Sequence, residues 1–252
     1  MSDAMRWNLF GIECNTDERD ADGCIWTVSS STGWLSPTIV SQRDAVSVRP
    51  GSTLTREIHG ERTLEISGWV FGLTQAGAEA AWNRLPVMPG VGASGVVTRY
   101  EVTPKSLRVR MDQPPLANPP AGGSFAYQLS LVALDPYKTA LTPKTVTVAA
   151  GATVTLTNAG TATAHLTATA SGSGTVRLRQ NVSGQVLRSR ASVSSGTVFD
   201  SGLRQVRSSG GVVLSGVVDN PSEWLSIPRL ASTSVTNQGT APLSVTFYDS
   251  YA

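Results

Sequence analysis

Histidine is the side chain best suited to proton transfer near neutral pH, and this chain of 252 residues has only two, His59 and His165. His59 lies in the charged segment REIHGER. His165 lies in TATAHLTATA, where alternation with Ala164 and Leu166 describes an ordinary strand position, so neither is expected to be catalytic. Serines are plentiful, but no G-x-S-x-G elbow precedes a helix and none stands out as a nucleophile. The richest acid group, Asp17, Glu18, Asp20 and Asp22 in NTDERDADG, lacks the ligand spacing and late glutamate of an EF-hand and reads as a solvated turn leading into Cys24, Ile25 and Trp26. Glycan cleavage requires two acids converging in a cleft, and the C-terminal part offers only Asp200, Asp219, Glu223 and Asp249. Two cysteines, Cys14 and Cys24, with two distant histidines cannot assemble a zinc site, and both thiols are expected to be free. No glycine motif that cradles phosphate occurs; GSGTVRLR is a hairpin-like turn. No catalytic residue, cofactor or metal is therefore expected.

Charge is scarce as well. Charged residues make up 15% of the chain, aromatic residues 6%, and 20 basic against 18 acidic side chains leave a net charge of +2. No block of like charge accumulates, which argues against nucleic-acid recognition. The N-terminus, MSDAMRWNLFG, lacks a basic start followed by an apolar stretch, and no run approaches the roughly 18 apolar residues of a membrane span. A soluble protein made inside the cell, with no membrane insertion, is expected. Arginine supplies 17 of the 20 basic residues. Arg177, Arg179, Arg188, Arg190, Arg204 and Arg207 are spread over the C-terminal part, and alternate arginines in VRLRQ and VLRSR project from one sheet face. Such a face suits an anionic glycan or a protein partner, or is simply solvated.

The elements that carry these residues are mostly strands. Candidate strands are IWTVSS, REIHGERTLEISGWVFG, GVVTRYEV, LRVRM and FAYQLSLVAL. One segment breaks the pattern: in TQAGAEAAWNRLP, Ala78, Ala81, Trp82 and Leu85 recur at helical spacing, Thr74 is a candidate N-cap, and Pro86 stands at the end. A short helix near 74–85 is predicted, with Trp82 packed on the neighbouring sheet. Residues 151–252 hold 30 serines and threonines, with Val, Leu and Ile on alternate positions and glycine breaks about every dozen residues, the pattern of an antiparallel β-sandwich. Pro114, Pro115, Pro119 and Pro120 mark a loop, and the Asp135–Pro136 step ends a strand. The expected organisation is mainly β: an N-terminal β-sandwich or split barrel with one short helix over 1–138, and a C-terminal β-sandwich over 139–252.

The order of features resembles a known family. It comprises Asp22, Gly23 and Trp26; Gly33, Trp34 and Pro37; Arg62, Leu64, Ile66 and Gly68; the helix with its tryptophan; a strand containing Arg99; and Leu134 to Tyr137, reading LDPY. Near the end come Trp224, Leu225, Ile227 and Pro228, then VTFYDSY. In this order and spacing the chain resembles the distal tail proteins of long non-contractile-tailed bacteriophages, particularly the minor tail proteins of phages of actinobacteria. The resemblance spans nearly the whole chain. It implies a non-enzymatic virion protein at the distal end of the tail, assembled in the host cytoplasm. The N-terminal domain would form a homo-hexameric ring and the C-terminal domain a galectin-like β-sandwich outside it. Its implied partners are further copies of itself, the tail tube protein, the tape-measure protein and tail-associated fibre or baseplate proteins. Strands rich in Val, Thr and Arg with few lysines suit a closing, head-to-tail interface, and Arg56, Glu57, Glu61, Arg62 and Arg99 are candidate ring-interface charges, against the simpler expectation that they are solvated. The alternative is a carbohydrate-binding adhesin or receptor-binding module that uses Trp224 or Tyr248 as a glycan-stacking platform.

Overall fold

The computed structural model describes residues 5–37, 39–45, 52–90, 92–219 and 224–252, with the backbone alone described in the strands at 39–45 and 52–59. The chain divides into two compact units, one ending at Lys138 and the other running over Thr139–Tyr251. Its class is mainly β, as the alternation predicts.

The first unit contains β1 (Trp7–Leu9), β2 (Ile12–Cys14), β3 (Cys24–Thr32), β4 (Ile39–Ala45), β5 (Ser52–His59), β6 (Arg62–Gly72), α1 (Gln75–Arg84), β7 (Gly95–Arg99), β8 (Lys105–Met111), β9 (Leu116–Ala117) and β10 (Ser124–Ala133). Seven of the strands follow in the order β8-β7-β1-β2-β3-β6-β10, and β10 pairs back onto β8 through Leu131↔Met111 and Val132↔Arg110, so the sheet closes into a barrel. Period-two alternation fills its interior: Leu64, Ile66 and Val70 from β6, Phe125, Tyr127, Leu129 and Leu131 from β10, Trp26 from β3, and Leu107 and Val109 from β8 are all buried. A bulge between Val28 and Ser30 shifts the register of β3 against β6.

The predicted helix is present. Thr74 caps it by accepting from the Gly77 amide at 3.1 Å, and Ala78, Ala81 and Leu85 are buried in the barrel core with Trp82 half-buried against it. Two predicted strands are shorter than expected. REIHGERTLEISGWVFG is split at Gly60–Glu61 into β5 and β6, and GVVTRYEV ends as a strand at Arg99. Strands β4 and β5 form a separate two-stranded ribbon, joined to each other and to no other strand among the described residues.

From β11 (Lys138–Ala140) the chain enters the second unit. This contains β12 (Lys144–Val148), β13 (Thr153–Asn158), β14 (Ala164–His165), β15 (Thr167–Ala170), β16 (Arg177–Gln180), β17 (Val186–Arg188), β18 (Val198–Asp200), β19 (Gln205–Arg207), β20 (Ser226–Ile227), β21 (Ala231–Asn237), β22 (Leu243–Phe247) and β23 (Ser250–Tyr251). A five-stranded sheet, β12-β22-β15-β18-β19, and a four-stranded sheet, β13-β21-β16-β17, share one core that includes Val148, Leu156, Leu178, Phe199, Val235 and Val245. Hydroxyls cover the other faces, where Thr145 meets Thr246, Thr153 meets Thr236 and Thr157 meets Ser232 at 2.7–2.9 Å.

Two turns of this unit repeat one design. In Asn158-Ala159-Gly160-Thr161-Ala162 and in Asn237-Gln238-Gly239-Thr240-Ala241 a fully buried asparagine donates to the carbonyl four residues on, at 2.7 and 2.9 Å. Its side-chain oxygen accepts from the glycine amide two residues on, at 2.9 and 3.0 Å. Each asparagine ends a strand, and its amide does the pairing that the ladder can no longer do.

Candidate functional site

Arg62 opens β6, and the alternation Arg62, Leu64, Ile66, Gly68, Val70 turns all five toward the interior. The guanidinium is fully buried and donates to the carbonyls of Pro136 at 2.8 Å, Trp34 at 2.5 Å and Gly33 at 3.3 Å. The Trp34 carbonyl also accepts from Lys138 Nζ at 2.9 Å. Two cations thus share one acceptor, and burial, followed by the charges of Arg62 and Lys105, brings the Lys138 ammonium down to about 8. The Trp34 indole donates to Glu101 at 2.8 Å, and Lys105 pairs with the same carboxylate at 2.7 Å. Burial pushes Glu101 up, but the Lys105 and Trp34 hydrogen bonds and the neighbouring cations outweigh it and hold the group below its ordinary value. Gly33 lies at φ +80°, and a Cβ there would stand 1.9 Å from the Thr63 carbonyl oxygen. The GW and LDPY motifs therefore meet at Arg62, which joins them to the mouth of the barrel.

This location corrects the reading of Arg62 as an interface charge: the side chain is buried, and its Nε and Nη1 donors are engaged inside its own unit. Arg99 is also largely engaged. Its guanidinium lies 5.3 Å from the Trp7 ring centroid and 3.4 Å from Glu101, and Trp7 itself packs edge-on to Trp34 at 5.1 Å. Glu61 is exposed at the turn between β5 and β6. Arg56 and Glu57 pair through their backbones with Gln42 and Ser41, and their side chains, like that of His59, lie outside the described residues.

A second network centres on Asp20, which the sequence placed in a solvated turn. Its carboxylate is nearly buried and accepts from the Trp26 indole at 2.5 Å, the Cys24 amide at 2.8 Å, the Asp22 amide at 3.0 Å and Arg84 at 2.5 Å. Burial pushes its pKa up, but the Cys24, Trp26 and Arg84 donors outweigh it and hold it low. Asp20 therefore ties the loop before β3 to the last turn of α1. Cys14 and Cys24 are both free and buried, with the Cys14 thiol pushed up to about 12 by burial.

In the second unit Trp224 lies within the core, which removes it as a stacking platform; Tyr248 is exposed. His165 is exposed on its strand. Arg177, Arg179 and Arg188 share the outer face of the four-stranded sheet. Arg188 and Arg190 flank Asp219, Arg207 pairs with Asp200 at 2.7 Å and Lys144 with Asp249 at 2.8 Å, so each of these acids is held by a cation. Glu223 lies outside the described residues. Among the described residues no three His, Cys, Asp or Glu gather as a metal site.

The sequence reading missed an aromatic pair. Trp69 and Phe71 occupy the outward positions of β6, each about half exposed, with rings 18° from parallel and centroids 6.3 Å apart. The alternation that sends Leu64, Ile66 and Val70 inward already required this. Beside Trp69 runs a surface groove of about 330 Å³, whose wall includes Ser67, Gln128 and Asn118.

No protein-family model and no curated protein matches this chain. Solved structures do. The fold is similar to that of Dit (gp 19.1) of phage SPP1, a paradigm of the hub adsorption apparatus in phages infecting Gram-positive bacteria. The TM-score is 0.71 at 18% identity, over 98% of this chain and 99% of that one. It is also similar to a chain of the phage P2 baseplate in its activated conformation with calcium, with a TM-score of 0.55 at 8% identity over 96% and 97% of the two chains.

Proposed function

We propose that this chain is a structural virion protein, the distal hub of a long non-contractile phage tail. Six copies close a ring through the unit ending at Lys138, and the following unit forms a galectin-like sandwich on the outside. The observation that carries this reading is the likeness to the SPP1 hub protein over 98% of the chain, barrel and sandwich together. The motif residues support it from below. Gly33, Trp34, Arg62, Gly68 and Pro136 are joints of the barrel, as expected of a chain whose sequence is constrained by architecture. The ribbon β4–β5 adds to it, because a two-stranded antiparallel pair is at best marginal alone in water and gains from a neighbour. Arg56, Glu57 and Glu61, on or beside that ribbon, remain the candidate contacts between copies.

In this role the chain is not an enzyme and takes no cofactor. Its partners are the tail tube and tape-measure proteins on one side and fibre or baseplate proteins on the other, and its place is the distal end of the tail. The test is co-purification of the tagged full chain with the tail proteins encoded beside it. Stable capture of a tube or tail-tip protein is expected, and failure to retain either contradicts the assignment.

A further inference from the structure

The outer surface of the first unit carries a groove beside Trp69 of β6. Trp69 forms one wall, with the near-parallel Phe71 ring next along β6. On the other side of Trp69 along the strand, Ser67 lies between Ser30 of β3 and Gln128 of β10 in the sheet register. The Ser30 and Ser67 hydroxyls stand 2.7 Å apart and keep hydrogen-bonding capacity beyond that contact. Gln128 and Asn118 are exposed, and among the described residues neither side-chain amide has a hydrogen-bond partner within the chain. The groove, at about 330 Å³, is at the small end of the range for ligand sites, and no charged side chain lines it.

We infer that this groove binds a neutral saccharide. A pyranose ring has an apolar C–H face and a rim of hydroxyls. In the groove an exposed indole adjoins two unengaged amides and Ser67, with Leu116 and Ala117 adding apolar surface, so both kinds of surface find a match. The absence of a lining cation disfavours uronic, sialylated or phosphorylated glycans. A protein partner is a poorer fit. It requires a continuous apolar centre within about 800 Å² on each side, whereas Thr27, Ser124 and Gln128 interrupt the surface that Ile25, Ala126 and the two rings make apolar. The inference goes beyond the hub reading and stands independently of it.

The test uses the full chain on an array of immobilised glycans: neutral glucans, galactans, mannans and N-acetylglucosamine oligomers beside uronic, sialylated and phosphorylated glycans. Retention of at least one neutral glycan is expected. Trp69→Ala weakens it about tenfold or more, Trp69→Phe keeps most of it, and Gln128→Ala weakens it several-fold. Sedimentation profiles should match the parent, and should Trp69→Ala fail to fold, Trp69→Phe and Gln128→Ala carry the comparison. The inference is overturned if no neutral glycan is retained, if only anionic glycans are, or if retention ignores both positions. A change in self-association on Trp69→Ala without glycan retention overturns it too, and assigns the face to a second copy. Ring formation, measured separately, decides the hub reading whatever the array shows.

Discussion

Asp20 and Lys138 are the two residues whose ionisation the fold alters most usefully. Asp20 Oδ1 accepts two backbone amides and Oδ2 accepts the Trp26 indole and Arg84. Asp20→Asn keeps the first pair but turns an NH₂ toward two donors, so it should destabilise the first unit by about 2–4 kcal/mol, read from the urea midpoint by tryptophan fluorescence. Because the folded carboxyl is held below its ordinary value, its contribution is complete above the unfolded pKa. It is lost as the pH falls through the lower folded one, and the variant should show a flatter stability profile in that acid range. Lys138 moves stability in the same direction at higher pH, although here burial penalises the charged form. With a folded pKa of about 8 against an ordinary 10.5, the unfolded chain binds more protons between these values, so stability rises with pH from about 8. Cys14 opposes it above pH 9, because its folded thiol holds its proton up to about 12. Unfolding midpoints should therefore climb between pH 8 and 9, and Lys138→Met should remove that climb. Little of this was visible beforehand: Asp20 stands among four acids in a hydrophilic run, and nothing local distinguishes the one that folds under Trp26.

At the scale of elements, close approach decides what β6 tolerates. A Cβ on Gly68 would lie 1.7 Å from the Thr27 carbonyl oxygen of β3 and 2.9 Å from the Tyr127 hydroxyl, so the strands would have to part. Gly68→Ala should cost more than about 3 kcal/mol, whereas Gly122→Ala, at φ +59° with nothing near, should cost about 1–2 kcal/mol from backbone conformation alone. Thermal unfolding of the two variants side by side checks the order. The helix with its Thr74 cap and the inward set of β6 could be read in the sequence because capping and period-two alternation are local. The same alternation places Arg62 inside and Trp69 and Phe71 outside, yet charge suggests an interface for the first. The break at Gly60–Glu61 and the Val28–Ser30 bulge were not legible, since alternation runs on through REIHGERTLE and a bulge depends on the partner strand. The matched N-x-G-T-A turns could have been found as a repeat, but their purpose depends on burial of Asn158 and Asn237.

For the whole molecule, closure of the barrel rests on pairings distant in sequence, β1 with β7 and β8 with β10, which no local pattern encodes. What the sequence carried instead was the order of motifs, and the residues in them prove to be the joints of that barrel: Gly33 and Trp34 against Arg62, Pro136 against Arg62, Gly68 against Thr27. Neither the number of copies nor the surfaces between them can be read from one chain, because a ring interface is completed by a neighbour. The most direct test of the hub assignment is imaging of the purified full chain by negative-stain electron microscopy, with its mass in solution measured by sedimentation. Six-fold rings with a central opening are the predicted result; a strict monomer at micromolar concentration, with no rings in the images, would contradict it.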